Sequence, residues 1–310
     1  MSMVKSVFDQ MALRLFRMVP DKMGRHLLFL MQSEPSIPDS WGYHIRPIHF
    51  YEPLPDFRSL KTEEIERTRE HPALDFKEAE QLTLLSELIS AYACELKSLT
   101  AENLPEFSNG FFSDLDAAIY YALIRRLKPR RIIEIGGGFS TRVASRALAK
   151  NSEEEKTGNL VCIEPYPESR LTSANLELEL IQKRVEEIDT SFFSCLEAND
   201  ILFIDSSHTV KFGSDVCYEM LEILPSLNSG VWVHVHDIFL PKDYPAEWLL
   251  TRRLALNEQY LFEAFLAFSS AFTIRLANHW LLQEHLDQAK QLWPQNGDAN
   301  KPSSFWISRN

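Results

Sequence analysis

Three consecutive glycines lie in the segment 134–141 (EIGGGFST), between a short apolar run and a stretch with helical periodicity. Glycine at such a turn allows positive φ and lets a ligand approach bare backbone. The helix that follows offers free N–H groups at its start. Because a tight turn between a strand and a helix needs only one glycine, the three together predict a ligand-binding loop.

Two carboxylates near this loop indicate the kind of ligand. Glu134 lies two residues before the first glycine, where it suits a ligand with an ammonium group better than a pyrophosphate. Glu164 ends the next apolar run, where a carboxylate can hold both hydroxyls of a ribose. The dinucleotide pattern G-x-G-x-x-G is broken by Thr141 at its third glycine position. These residues therefore favour S-adenosylmethionine over a nicotinamide dinucleotide.

A second group of polar residues lies at the ends of two later apolar runs. Asp205 and His208 belong to the segment FIDSSH, and His234, His236 and Asp237 belong to the segment HVHD. In an open parallel sheet, ligands bind at the edge where the carboxyl ends of the strands meet. We expect these side chains to lie close to the glycine loop.

Three interpretations of this Asp–His cluster remain open. In the first, Asp205, His236 and Asp237 hold a divalent metal that orients a substrate hydroxyl. In the second, His208 is the general base, because an imidazole with an ordinary pKa of about 6.5 accepts a proton at neutral pH. Metal and base can also act together. In the third, Asp205 and the two serines after it cap the next helix, and the histidines satisfy buried polar groups.

Alternating strands and helices must position these residues. Short apolar runs that predict strands occur at 131–135, 160–164, 177–181, 201–205 and 231–236, with helical periodicity between most of them. This pattern predicts a parallel sheet covered by helices on both faces. Two last strands are expected at 272–276 and 305–307, after a helix over 247–268.

The ordered motifs EIGGGFST, CIEP, FIDSSH and HVHD resemble those of class I S-adenosylmethionine-dependent methyltransferases. The resemblance covers residues 109–310 and implies an α/β fold with a Rossmann-like sheet of order 3-2-1-4-5-7-6, whose last strand is antiparallel. It also implies the cofactor-binding residues, with Glu187 an equal alternative to the last of them: Glu134, Gly136, Gly137, Gly138, Ser140, Thr141, Glu164 and Glu186.

The segment from FIDSSH to HVHDIF is most similar to small-molecule O-methyltransferases of that family. It implies an enzyme that methylates a hydroxyl of a small molecule or sugar, with His208 and Asp205 as catalytic residues. Relatives that bind Mg²⁺ have a carboxylate pair after strand five, but here the pair begins with His236, which favours a softer metal. N-methylation of a small molecule and a non-catalytic binding protein with the same fold are the alternatives.

Composition disfavours several other classes of protein. The 310 residues include 32 Lys and Arg against 44 Asp and Glu, and the net charge of −12 argues against a nucleic-acid partner. The four cysteines have neither metal-ligand spacing nor an obvious pairing, which predicts a reducing, cytoplasmic location. No run approaches the roughly 20 apolar residues of a membrane span, and the start of the chain lacks the pattern of a secretory signal.

The first third of the chain lacks strand–helix alternation. We therefore predict a mainly helical N-terminal extension over residues 1–108 and a cofactor-binding domain over residues 109–310. Apolar residues at helical spacing over 4–18 indicate a helix that docks on this domain, on a dimer partner or on a membrane surface. The extension is expected to serve as a lid or a dimerisation surface, so a homo-oligomer is among the expectations.

Overall fold

The computed structural model describes residue 14 and residues 17–102, 104–112, 114–172, 176–292 and 302–310. Most of the helix predicted over residues 4–18 lies outside these ranges. Tertiary contacts divide the chain into two compact units, Met1–Leu60 and Lys61–Asn310. The division into an extension over 1–108 and a cofactor-binding domain over 109–310 stays a prediction.

The first unit contains helices α1 (Asp21–Ser33) and α2 (Ser36–Ser40). Pro38 is the single buried residue among those described in this unit. Large apolar side chains of α1, such as Leu27 and Leu28, are about half exposed. The described part of this unit therefore has no hydrophobic core of its own.

The second unit is built around a seven-stranded sheet of order β3-β2-β1-β4-β5-β7-β6. Strands β1 to β5 are parallel, and β7 runs antiparallel to both β5 and β6. The predicted α/β fold, the strand order and the reversed last strand are confirmed. The strands are β1 (Arg131–Ile135), β2 (Asn159–Ile163), β3 (Glu179–Ile181), β4 (Ile201–Ile204), β5 (Trp232–Val235), β6 (Phe272–Ala277) and β7 (Phe305–Arg309).

Helices cover the sheet and connect its strands. The predicted single helix over 247–268 is wrong, because the chain breaks between two helices, where Arg253 adopts a left-handed φ of 55°. A π-helical turn (Glu219–Ile223) continues the helix Asp215–Tyr218. The helices of this unit are α3 (Thr62–Ile65), α4 (Glu78–Ala101), α5 (Asp114–Leu127), α6 (Phe139–Ser152), α7 (Ser169–Thr172), α8 (Asp215–Tyr218), α9 (Leu224–Ser226), α10 (Ala246–Leu250), α11 (Glu258–Leu266), α12 (Asn278–Glu284) and α13 (Leu286–Leu292).

Apolar side chains are buried on both faces of the sheet. On one face, Ile132 and Phe203 lie in a cluster with residues of α4, α5 and α6. On the other face, Ile133 and Leu202 lie in a cluster with residues of α8 and α11. Burial on both sides explains why β1 and β4 are almost continuously apolar, as a covered parallel sheet requires. No helix among the described residues combines the length and the apolar character needed to cross a bilayer.

Candidate active site

A cavity of about 450 Å³ opens at the carboxyl ends of β1, β2 and β4. Gly136 follows β1, Glu164 follows β2 and Asp205 follows β4, and all three line it. Glu186 is also among the lining residues, and its alternative Glu187 is not. The sheet topology thus brings together residues that lie far apart in the sequence.

The three glycine positions of the loop differ in what an added side chain would contact. Gly136 has φ of +84°, and a Cβ there would lie 1.9 Å from the carbonyl oxygen of Asp205. A Cβ at Gly137 would lie 2.4 Å from Sγ of Cys162, whereas one at Gly138 would meet no atom within 4 Å. Packing alone therefore requires the first two glycines, and the expectation that one would suffice for the turn is wrong. Gly138 is the glycine of this loop that leaves open space.

Glu164 is held in the cavity wall by two backbone donors. The N–H of Gly137 donates to its Oε2 at 3.2 Å, and the N–H of Tyr166 donates to its Oε1 at 2.8 Å. Because each carboxylate oxygen can accept a further hydrogen bond, Glu164 fits a pair of ribose hydroxyls in the cavity.

Glu134 lies behind the glycine loop rather than in the cavity wall. Its side chain is fully buried in β1, and burial raises its pKa to about 7. The hydroxyl of Tyr120 donates to Oε1 at 3.0 Å, whereas Oε2 has no hydrogen-bond partner among the described residues. A buried acceptor without a partner costs free energy, and an ammonium group is the kind of ligand that would relieve it.

Ser140 and Thr141 lie buried in the first turn of α6. Thr141 Oγ1 accepts a hydrogen bond from the N–H of Gly138 at 3.0 Å. This contact satisfies one of the free donors near the helix start. The two residues therefore shape the loop from behind, and they are not among the residues that line the cavity.

The Asp–His cluster forms at the carboxyl ends of β4 and β5. Nε2 of His208 lies 3.3 Å from Oδ1 of Asp205 and 3.6 Å from Oδ2 of Asp237. His208 and Asp237 both have φ of 55°. Non-glycine residues with such strained backbone collect at functional sites, where the surrounding structure holds them in place. Because Asp205 also lines the cavity, the cluster and the cavity share a wall.

Glu258 is a third carboxylate at His208 that sequence reasoning missed. It lies 50 residues later in the sequence, and its Oε2 is 2.7 Å from Nδ1 of His208. The side chain is almost completely buried. No local motif marks this residue, since it lies at the start of α11, inside the region predicted as one continuous helix.

The carboxylates change the protonation of the cluster. Burial by itself would lower the pKa of His208, but hydrogen bonds to Asp205 and Glu258 and the charge of Asp237 raise it well above its ordinary value. Burial would likewise raise the pKa of Asp205, but the charge of His236 and the hydrogen bond from His208 lower it. The ordinary pKa assumed for the base role of His208 is therefore wrong.

The predicted metal ligands lie side by side at this edge. Nε2 of His236 is 3.6 Å from Oδ1 of Asp237. In the described part of the chain, no group of three or more His, Cys, Asp or Glu side chains is arranged to hold a metal ion. The donor atoms of Asp205, His236 and Asp237 therefore do not converge, and metal binding stays a prediction.

The helix-capping interpretation of this cluster is wrong. Ser214, and not Asp205 or a serine next to it, caps α8 by accepting a hydrogen bond from the N–H of Cys217. Ser207 instead donates its hydroxyl to Oδ1 of Asp215 at 2.6 Å. The residues that follow β4 are therefore free of a capping role.

His234 is a buried structural histidine. Its Nε2 lies 2.8 Å from Oγ of Ser304. Its ring stacks on Phe203 with 3.8 Å between the ring centroids. Burial lowers its pKa well below the ordinary value, so it packs as a neutral ring in the core, as the third interpretation proposed for the histidines.

The sequence matches a family model and a protein of an archaeon. Residues 133–238 match the family model described as a methyltransferase domain. An uncharacterized protein of Archaeoglobus fulgidus is 35% identical over 187 residues, which are 56% of this chain and 83% of that protein.

Solved O-methyltransferase structures match this chain at low sequence identity. The O-methyltransferase TomG from Streptomyces achromogenes, involved in tomaymycin synthesis and solved with SAM, is 18% identical, with 81% of this chain and 98% of that chain covered and a TM-score of 0.42. An O-methyltransferase from Bacillus cereus, solved with SAH, is 17% identical, with 74% of this chain and 91% of that chain covered and a TM-score of 0.40.

Proposed function

The chain belongs to the class I S-adenosylmethionine-dependent methyltransferases, and from this premise we propose that it methylates a hydroxyl group of a small molecule. S-adenosylmethionine supplies a methyl group already activated by the sulfonium for displacement. One observation carries the proposal: Asp205 lines the cavity beside Gly136 and Glu164 and also contacts His208. A cofactor in the cavity and a hydroxyl at the Asp–His cluster would then both lie next to Asp205.

The cavity residues bind the cofactor in this proposal. Glu164 accepts hydrogen bonds from the ribose hydroxyls, and Glu186 lies on the adenine side. The open space at Gly138 receives the methionine part, and the unpartnered oxygen of Glu134 attracts its ammonium group. Ser140 and Thr141 hold the loop in the required shape.

The Asp–His cluster handles the proton of the acceptor hydroxyl. Asp205 and Asp237 orient the hydroxyl by accepting its hydrogen bond, and His208 lies within reach of both carboxylates. His208 accepts the proton once its imidazole is neutral.

The remaining parts of the proposal concern partners and location. The net charge of −12 supports a small-molecule acceptor over a nucleic acid. All four cysteines are free thiols, which supports a reducing, cytoplasmic location. We also propose that residues 1–108 act as an accessory region, as a lid or in a homo-oligomer, because the described part of residues 1–60 lacks a core.

The test is a methyl-transfer assay with paired acceptors. The purified chain is incubated with S-adenosylmethionine and with small alcohols, phenols and sugars, each beside its amine counterpart, and mass spectrometry measures S-adenosylhomocysteine and methylated product. We expect methylation of hydroxyls and its loss in Glu164→Ala. Methylation confined to the amines would overturn the hydroxyl assignment. Tight binding of S-adenosylmethionine without transfer to any acceptor would favour the non-catalytic alternative.

A further inference from the structure

The start of α11 holds His208 by both its side chain and its backbone. Oε2 of Glu258 is 2.7 Å from Nδ1 of the imidazole. The backbone N–H groups of Asn257 and Glu258 donate to the carbonyl oxygen of His208 at 3.2 and 3.3 Å. The side chain of Asn257 also accepts from the N–H of Val210 at 2.6 Å. One short segment thus anchors the loop that carries His208.

These contacts stabilise a backbone conformation that His208 would not adopt alone. Its φ of 55° is left-handed, which is unfavourable for a residue with a side chain. The same conformation directs Nε2 toward Asp205 and Asp237, at 3.3 and 3.6 Å. The orientation of the imidazole is therefore set by α11, and not by β4, which precedes it in the sequence.

We propose that Glu258 is the positioning residue of His208: its carboxylate holds Nδ1 and so directs Nε2 toward Asp205, Asp237 and the acceptor hydroxyl. A carboxylate accepts hydrogen bonds and cannot donate one. Because carboxylates face both ring nitrogens, the protonated imidazole donates from Nδ1 to Glu258 and from Nε2 to Asp205, and the two contacts together fix the plane of the ring. The part of the proposal that concerns the hydroxyl rests on the proposed function. The part that concerns the imidazole does not.

Burial of Glu258 supports this assignment over a purely structural one. Its carboxyl group is almost completely buried, and Oε1 has no hydrogen-bond partner among the described residues. A buried carboxylate is costly, and an apolar residue of similar volume often fills such a position at no loss of stability. Oε2, on His208, is the one oxygen of this carboxyl with a hydrogen-bond partner among those residues.

The matched control for Glu258→Gln is Glu219→Gln. Glu219 is a second buried carboxyl near the cluster, and its Oε2 accepts from the hydroxyl of Ser206 at 3.0 Å. Glutamine keeps the volume of Glu219 and an acceptor oxygen for the hydroxyl of Ser206. The control therefore removes a buried carboxyl in the same region without touching His208.

The first experiment needs no acceptor. Histidine ring nitrogens of the full-length chain are observed by ¹H–¹⁵N NMR, and His208→Gln identifies the signals of His208. We expect a downfield Nδ1 proton in the wild type and in Glu219→Gln, and its loss in Glu258→Gln. Unchanged His208 signals in Glu258→Gln would overturn the proposal. If that variant does not fold, Glu258→Asp, which withdraws the carboxylate by one methylene, is expected to shift the same signals.

The second experiment uses an acceptor from the methyl-transfer assay. Since a general base that is no longer held within hydrogen-bond reach of the acceptor loses most of its effect, we expect Glu258→Gln to lower kcat by about 100-fold. KM and the affinity for S-adenosylhomocysteine are expected to stay within about twofold, and Glu258→Asp to recover part of kcat. Wild-type kcat in Glu258→Gln would refute the positioning role. Altered NMR signals in Glu258→Gln, together with a wild type that methylates only amines, would refute the hydroxyl assignment alone.

Discussion

Glu134 is expected to destabilise the cofactor-free protein at neutral pH. Burial raises its pKa from 4.5 to about 7, so between these values the folded chain keeps a proton that the unfolded chain releases. The free energy of unfolding therefore falls as pH rises through this interval. At about 1.4 kcal/mol for each pKa unit, the whole loss amounts to about 3 kcal/mol.

Glu134→Gln tests this value directly, because glutamine imitates the protonated carboxyl at nearly equal volume. In the wild type, more than half of this fall in the free energy of unfolding occurs between about pH 5.5 and about pH 8. The stability advantage of Glu134→Gln in urea unfolding should therefore grow by about 2 kcal/mol over that range. Glu179→Gln, an exposed strand carboxylate, is the control for removal of one charge. A Glu134→Gln advantage that stays constant with pH would refute the assigned pKa.

The same substitution is expected to impair cofactor binding. An ionised Glu134 attracts the ammonium group of the ligand, so the wild-type affinity for S-adenosylhomocysteine should rise about tenfold or more between about pH 5.5 and about pH 7.5. Glu134→Gln should bind more weakly and lack this rise. The affinities of both proteins are measured by titration calorimetry. Because ionisation of the ligand affects both proteins equally, the difference between them reports Glu134. Equal pH dependence in the two proteins would remove Glu134 from the binding site.

Three further predictions follow from the packing. Gly136→Ala should lower the thermal unfolding midpoint by about 10 °C or more, because its Cβ would overlap a carbonyl oxygen. Gly138→Ala should unfold like the wild type, and equal midpoints of these two variants would contradict the prediction. Glu164→Ala should weaken the affinity for S-adenosylhomocysteine by about 1–3 kcal/mol in calorimetry, and unchanged affinity would exclude it from the site. Ser304→Ala should cost about 1–3 kcal/mol in urea unfolding, since Nε2 of buried His234 loses its partner; wild-type stability would show that this contact is dispensable.

Local patterns determined much of the fold. Strand β1 occupies its predicted residues, 131–135, and β4 ends one residue before its predicted end. Both are buried on two faces, and such strands leave a continuous apolar run in the sequence. The glycine loop and the Asp–His cluster were found for a related reason: both lie at the ends of predicted strands, where glycines and polar residues stand out against the apolar runs. The strand order came from the family resemblance, because periodicity does not record which strands pair.

Tertiary structure alone decided the chemistry of the cluster. Glu258 reaches His208 across 50 residues, and three carboxylates around one imidazole raise its pKa, which an isolated motif cannot reveal. The packing that requires the first two glycines was likewise not visible in the sequence: a side chain at Gly136 is excluded by Asp205, directly after β4, and one at Gly137 by Cys162 of β2. Sequence patterns record the periodicity of one segment at a time. Electrostatic fields and steric clashes depend on distances between segments, and those distances exist only once the sheet has assembled.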